Sequence, residues 1–270
     1  GCCIKNSNRN NSSKFAPNNT RAELVPRATP STTSIPVLTS ILNKAWHGYD
    51  SSKTIRDIED ISAMVSTNLV FKITFDDDDM VIAKLSHFGK FEYFKEDHRI
   101  IHSLCNNLLY PFENVLSKSL LKNNRVYIYH HKQGKMDAWV VFYNPTRIDQ
   151  RMPRRLDENH IRKLGRQIGK FHKACSRASN VLPKSIKTLR TDIYALQQQL
   201  ENNEKQFGSA MQADFLKYHC DLFLKNRSKY DVRSFDIMPV FIDWNIGNFS
   251  VTKDLELFSR WDYDWFRMSY

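Results

Sequence analysis

Three side chains in the last thirty-odd residues have the types and spacing for metal-assisted phosphoryl transfer. Asp243 closes the apolar run Pro239-Val240-Phe241-Ile242, and Asn248 follows it just before a second run, Phe249-Ser250-Val251. Asp262 lies at the end of a further apolar and aromatic segment. In such a set one carboxylate takes or orients the acceptor's proton. The amide oxygen and the other carboxylate hold the Mg²⁺ that neutralises a triphosphate. Taken singly the three also fit ordinary turns, where Asp and Asn are common.

That chemistry needs a cation on the phosphates and elements to position it. Leu69 to Phe75 alternates and reads as a strand, Asp76 to Asp79 as a turn, and Met80 to Leu85 as the return strand. Lys84 lies within the apolar return strand, where a half-buried ammonium needs an anionic partner. An edge strand would instead let it point to water. Residues 91–108 read as a helix, with Glu92 and Glu96 one turn apart and Ile100 and Leu104 at helical spacing beyond Glu96. A strand Lys followed by a helix Glu is the ion pair that positions nucleotide phosphates in kinases. Glu96 is the expected partner of Lys84 and Glu92 the alternative; both also fit as surface charges. Asp76 to Asp79 splay to both sides of a hairpin tip, so they read as a solvated turn rather than a metal site.

Further elements follow the same patterns. Residues 35–48 read as a helix, and Val126 to Tyr129 and Ala138 to Tyr143 as strands around a turn at 133–135. His130 and His131 would leave a strand on opposite faces and cannot easily share a metal. Val140 to Asn144 is the expected link between two lobes, with backbone groups facing an adenine edge. Residues 157–175 read as a helix whose His172 is a packed core residue, and 186–206 and 210–226 as two more amphipathic helices. Residues 1–34 are rich in Asn, Ser, Thr and Pro and read as a disordered polar arm.

Composition narrows the class. The chain has 270 residues, 41% hydrophobic and 26% charged, enough for a core in one large domain or two lobes. Only 8 are Gly, and no Gly-rich phosphate loop is present. The net charge of +11 is spread along the chain and favours anionic partners weakly. Nucleic acid is the less favoured of these, since neither zinc-ligand spacing nor an aromatic RNA-binding strand occurs. The 5 cysteines (Cys2, Cys3, Cys105, Cys175, Cys220) suggest no disulfide scaffold, which implies a reducing, cytoplasmic setting. No run approaches the ~18 apolar residues of a membrane span, and no secretory apolar region is present. A myristoylation signal wants Ser or Thr where Lys5 stands, so membrane association is expected only through lipidation of Cys2 and Cys3. The missing initial Met reads as a processed chain or a fragment.

In this order the parts resemble the aminoglycoside phosphotransferase and choline kinase group of protein-kinase-like small-molecule kinases. The resemblance covers about residues 55–270. It rests on Ser66-Thr67-Asn68, Val81-Ile82-Ala83-Lys84, Glu96 with Ile100 and Leu104, and Leu164-Gly165 with Phe171-His172. Phe241-Ile242-Asp243, Gly247-Asn248-Phe249 and Trp261-Asp262-Tyr263-Asp264 complete it. Members of the group lack the Gly-rich loop of protein kinases.

The resemblance implies an α+β, two-lobed fold with a small antiparallel-sheet N-lobe over residues 35–143 and a mainly helical C-lobe over 144–270. It implies ATP or GTP as donor, Mg²⁺, and a small hydroxyl-bearing acceptor. Lys84 would contact the phosphates, with Glu96, Ser66 and Asn68 also serving the nucleotide. Asp243 would be the base, and Asn248 and Asp262 the metal ligands, with Asp264 competing for the last place. Three departures stand out. Phe241 occupies the place where the group has His. Two acidic residues, Asp262 and Asp264, compete for one metal position. The chain stops at Tyr270, which implies a truncated C-lobe or a reduced acceptor site. The basic balance counts against a polycationic acceptor, while a neutral or anionic hydroxyl compound fits. A degenerate kinase that binds nucleotide or a partner without turnover is the first rival, and a basic nucleic-acid-binding protein the second.

Overall fold

Alternating apolar residues give the N-terminal sheet two greasy faces, and the chain covers both. The computed structural model describes residues 35–62, 68–87, 89–134, 136–153, 155–202, 209–231 and 234–269. Helix α1 (Ile35–Tyr49) is followed by strands β1 (Ile55–Asp60), β2 (Leu69–Phe75) and β3 (Met80–Ser86), then helix α2 (Phe91–Asn107). A small hairpin of β4 (Leu121–Lys122) and β5 (Arg125–Val126) leads into β6 (Ile128–Gln133) and β7 (Met136–Tyr143). Five of these strands form one antiparallel sheet in the order β1-β2-β3-β7-β6.

One face of the sheet packs on α1. Ile41, Leu42, Ala45 and Trp46 meet Phe71, Phe75, Ala83 and Phe142 there, with Trp46 edge-on to Phe142 at 5.2 Å. The other face turns toward α2 and the C-terminal half, where Ile100, Ile101 and Leu104 join Val141 and Tyr143 in a second core. Burying side chains of this size contributes about 1.5–3 kcal/mol each.

The second half is mainly helical: α3 (Glu158–Ala178), α4 (Leu189–Asn202) and α5 (Ala210–Arg227). Asp157 caps α3 by accepting from the His160 amide at 2.8 Å. Helices α4 and α5 share a small core of Leu200, Ala213 and Cys220. Four short strands follow: β8 (Met238–Val240), β9 (Phe249–Val251), β10 (Leu257–Arg260) and β11 (Arg267–Ser269). They pair as two antiparallel ladders, β9 with β10 and β8 with β11. Among the described residues no helix is long and apolar enough to cross a membrane.

The main departures from the sequence reading have local causes. Strand β1, which the sequence reading assigned to no element, is the charged edge of the sheet: Ile55 and Ile58 are half-buried while Arg56, Asp57, Glu59 and Asp60 face water. Charge on an edge strand blocks pairing with other chains and masks the apolar alternation. Helix α4 begins at Leu189, later than expected, because Ser185 to Lys187 are drawn onto α2. The expected adenine-facing link at Val140 to Asn144 is corrected. Val140 to Tyr143 lie inside the sheet between β3 and β6, and the Asn144 amide donates to the Lys118 carbonyl at 3.2 Å. Pro145 to Ile148 follow without regular structure. At the acidic tip, Lys53 pairs with Asp77 at 2.7 Å and also with Asp79, and Arg56 with Asp78 at 2.6 Å. Exposed pairs of this kind add little stability.

Candidate active site

Strand alternation turns Lys84 away from α1. Val81, Ala83 and Leu85 enter the α1 core, so Ile82 and Lys84 share the opposite face with Val70. That face roofs a cavity of about 550 Å³, a size suited to a small-molecule ligand. Pro145, Thr146 and Ile148 wall one side, and Gly247, Asn248, Trp261 and Asp262 lie across from the sheet.

Lys84 is almost wholly buried, and two carboxylates answer its charge. Its Nζ lies 3.2 Å from Asp262 Oδ1 and 2.5 Å from Asp264 Oδ1. Burial works against the ammonium, but Asp262 and then Asp264 hold its pKa above the ordinary value. Burial likewise pushes the Asp262 carboxyl up, and Lys84, the Asp264 amide and Arg260 outweigh it, leaving the pKa below its usual range. The Asp264 amide donates to Asp262 Oδ1 at 3.0 Å, and Asn68 Nδ2 donates to Asp264 Oδ2 at 2.6 Å.

The Asp243 loop is shaped from beneath. Phe241 is buried against Phe171 and Phe266 at 5.3 and 5.2 Å, and its amide donates to His172 Nε2 at 3.2 Å. Trp244 Nε1 donates back to the Phe241 carbonyl at 2.7 Å. Asp243 Oδ1 accepts from the Asn245 amide at 3.0 Å, and Oδ2 accepts from Asn248 Nδ2 at 2.9 Å. The Trp261 amide donates to the Asn248 carbonyl at 3.2 Å, which ties the Asp262 segment alongside the loop. Asp243, Asn248, Asp262 and Lys84 are thereby linked through one short network at the cleft.

The donor set suits a hard divalent cation. Asn248 spends its amide nitrogen on Asp243, which leaves its oxygen available, and Asp262 is bonded through Oδ1 alone among the described residues. Among the described residues no group of three or more His, Cys, Asp or Glu side chains is arranged to hold a metal. One amide oxygen and one carboxylate oxygen fit Mg²⁺, which usually takes one or two protein oxygens together with substrate phosphates and water.

One expected contact is corrected. Glu96 does not pair with Lys84: its Oε1 accepts from Ser185 Oγ at 2.5 Å and its Oε2 from the Ile186 amide at 3.0 Å. Two nearer carboxylates have taken the Lys84 ammonium, and the segment before α4 has taken the Glu96 carboxylate. Glu92 is exposed and lies 3.9 Å from Lys95. Asn68 meets Asp264 in a smaller adjoining cavity with Lys84 and Asp97, not in the main cleft. Ser66 lies outside the described residues.

Sequence reasoning missed three features. The first is Asp97, which lines that adjoining cavity and is ion-paired with the buried Lys187. Burial raises its carboxyl to about 6 despite Lys187. The second is that Asp264 binds Lys84 together with Asp262. The third is Arg260, fully buried directly before Trp261-Asp262. A charge within an apolar strand, the clue that drew attention to Lys84, was available for Arg260 as well.

The Arg260 guanidinium stands 4.4 Å from the Trp244 ring and 5.2 Å from that of Phe241, and its Nη2 donates to the Asp243 carbonyl at 2.6 Å. Its Nε and Nη1 have no hydrogen-bond partner among the described residues, and burial lowers its pKa to about 10 against Asp262, Tyr263 and Asp243. A cation in this position costs solvation that its partners repay only in part. We therefore expect Arg260→Met to hold or raise the melting temperature, because the side chain still fills the space between the rings. A loss of ~3 kcal/mol in urea unfolding would show that the cation holds the fold instead.

No protein-family model and no curated protein sequence matches the chain. Solved structures do match its architecture. A structure described as amicoumacin kinase hAmiN in complex with AMP-PNP, Ca2+ and Ami superposes with a TM-score of 0.57 at 14% identity, over 86% of this chain and 67% of that one. A microcompartment-associated aminopropanol kinase superposes with a TM-score of 0.51 at 12% identity, over 86% of this chain and 70% of that one. The fold is that of the protein-kinase-like small-molecule kinases. Within this kinase-like fold, the sheet supplies Lys84 and the C-terminal loops supply Asp243, Asn248 and Asp262. Phe241 plugs the core. His172, Trp244 and Arg260 shape the loop around it.

Proposed function

We propose that the chain is a phosphotransferase of the aminoglycoside phosphotransferase and choline kinase type. It would move the terminal phosphoryl group of ATP or GTP to a hydroxyl of a small molecule. The observation that carries this reading is the joining of Lys84, Asn248 and Asp262 around one cleft, with Asp243 hydrogen-bonded to Asn248 at its edge. The N-lobe is residues 35–143 and the C-lobe 144–270.

In this reading the apolar sheet face with Val70 and Ile82 takes the nucleotide base, and Lys84 neutralises its phosphates. Asn248 and Asp262 would hold Mg²⁺, which when bound would neutralise charge on the transferring group. Asp262 is preferred to Asp264 because it shares the main cleft with Asn248, whereas Asp264 lines the adjoining cavity. Asp243 orients the acceptor hydroxyl and takes its proton. Catalysis of this kind comes from positioning and electrostatics rather than a covalent enzyme intermediate. The nucleotide analogue and divalent ion named for the amicoumacin kinase structure support the choice of ligands.

The test is ADP release from Mg-ATP across a panel of hydroxyl compounds, for the wild type and Asp243→Asn side by side. Acceptor-dependent release that vanishes in the variant supports the proposal. A second reading, nucleotide binding without turnover, is favoured by the engagement of Glu96 with Ser185 and Ile186 instead of Lys84. It predicts a Mg²⁺-dependent thermal shift with ATP and no ADP from any acceptor.

A further inference from the structure

A second cavity lies away from the Lys84 cleft. It holds about 660 Å³ between α3, the loop after α2 and the β9–β10 ladder, and shares no lining residue with the cleft. Its charge is one-sided. Lys170, Lys173 and Arg177 of α3 line it together with Arg147, against a single carboxylate, Glu256.

The cations are ordered rather than scattered. Arg166, Lys170, Lys173 and Arg177 recur at intervals of four, three and four residues, so they form one stripe along a face of α3. The stripe runs for about 16 Å at 1.5 Å per residue. All four are exposed, and none is in an ion pair with a described residue. A concave row of cations faced by one carboxylate, Glu256, is poised for an anion from outside.

Aromatic and apolar surface accompanies the row. Tyr110, at the rim, is 87% exposed and its neighbour Leu109 is 77% exposed. Phe258 lies in the wall with the Arg147 guanidinium 5.0 Å from its ring centre, and the Arg147 Nη2 is anchored on the Asn114 carbonyl at 2.6 Å. A cationic groove with rings at its edge is the surface that binds single-stranded nucleic acid: the cations follow the backbone and the bases stack. The concavity matters to this choice. A rigid duplex or a flat bilayer cannot follow cations into a recess, and unpaired bases offer the exposed Tyr110 ring a stacking surface that Asp and Glu side chains do not.

We propose that the groove between α3 and the Tyr110 loop binds a single-stranded nucleic acid segment. This does not rest on the phosphotransferase reading, because the two sites have separate linings.

Fluorescence anisotropy of the full chain with a labelled single-stranded RNA of about twelve nucleotides tests it. Four phosphate contacts give an expected slope of about −3 for log affinity against log salt. Lys170→Glu with Lys173→Glu should weaken binding by about 10-fold or more and roughly halve that slope. Tyr110→Ala should weaken binding by about 10-fold and leave the slope unchanged. The changed side chains are exposed, so circular dichroism and melting temperature should match the wild type. Should the double variant fold poorly, Arg177→Ala repeats the test with one neutral change. Absence of RNA binding, or variants that bind as the wild type does, would overturn the proposal. So would equal or tighter binding of duplex RNA, polyglutamate or phosphatidylserine vesicles.

Discussion

Asp243→Asn is expected to cut acceptor-dependent phosphoryl transfer by about 10²–10⁴-fold, the usual worth of a positioned general base. The argument is geometric. In the wild type both carboxylate oxygens are already committed in direction, Oδ1 to the Asn245 amide and Oδ2 to Asn248 Nδ2. The introduced amide can keep the first bond through its oxygen. Its NH2 group then faces the NH2 of Asn248, and two donors cannot bond each other. Relief requires Asn248 to turn over, which points its nitrogen rather than its oxygen toward the cation. On the proposed function the variant would therefore lose the proton acceptor and also weaken the place proposed for the metal. Two measurements separate these effects. ADP release at saturating Mg²⁺ reports the lost base and should stay near background. The Mg²⁺ concentration that gives half of the ATP-induced thermal shift reports Asn248 and should rise several-fold. The ATP-induced shift itself should persist at high Mg²⁺, because Lys84 and the apolar sheet face are untouched. Turnover within a few-fold of wild type would remove Asp243 from the chemistry.

How much of this was legible depends on the range of the interaction. The β2–β3 hairpin, α2, α3 and α5 follow from periodicities of two and of about 3.6, which act locally and leave their mark in the sequence. The Asp243 to Asn248 turn is also local, because its hydrogen bonds span two and five residues. The contacts that sequence misassigned are all distant. Lys84 meets Asp262 and Asp264 from far along the chain, and nothing in its neighbourhood says whether those carboxylates or Glu96 will reach it first. Glu96 is taken by Ser185 and Ile186, where a stretch read as helix from residue 186 begins. Strand β1 was hidden for another reason: an edge strand gains from carrying charge, and charge erases the alternation by which strands are recognised.

Lys84→Met should have the largest combined effect, abolishing the ATP-induced thermal shift and costing the fold about 3 kcal/mol in urea unfolding at neutral pH. The second figure follows from what the lysine leaves behind. Its side chain is 10% exposed, and the Asp262 and Asp264 side chains only 28% and 25%. Removing one member of a buried ion pair strands the other charges without a partner, at a cost of about 3–5 kcal/mol, and the partial exposure of the aspartates favours the lower end. The sign with pH can be worked out. In the wild type the folded pKa of Asp262 lies below its unfolded value, so its stabilisation is present above about pH 4 and is lost as pH falls through the folded value. In the variant Asp262 keeps the burial that raises its pKa and loses the ammonium that lowered it, so the destabilisation appears above about pH 4. The deficit relative to wild type should therefore be greatest near neutrality and shrink on acidification below that point. Combining Lys84→Met with Asp264→Asn removes one of the stranded charges. The double variant should regain much of the stability at pH 7 and none of the nucleotide binding, because the cation that meets the phosphates is still missing. A double variant that recovers ATP binding along with stability would mean that Lys84 holds the cleft together without contacting the nucleotide.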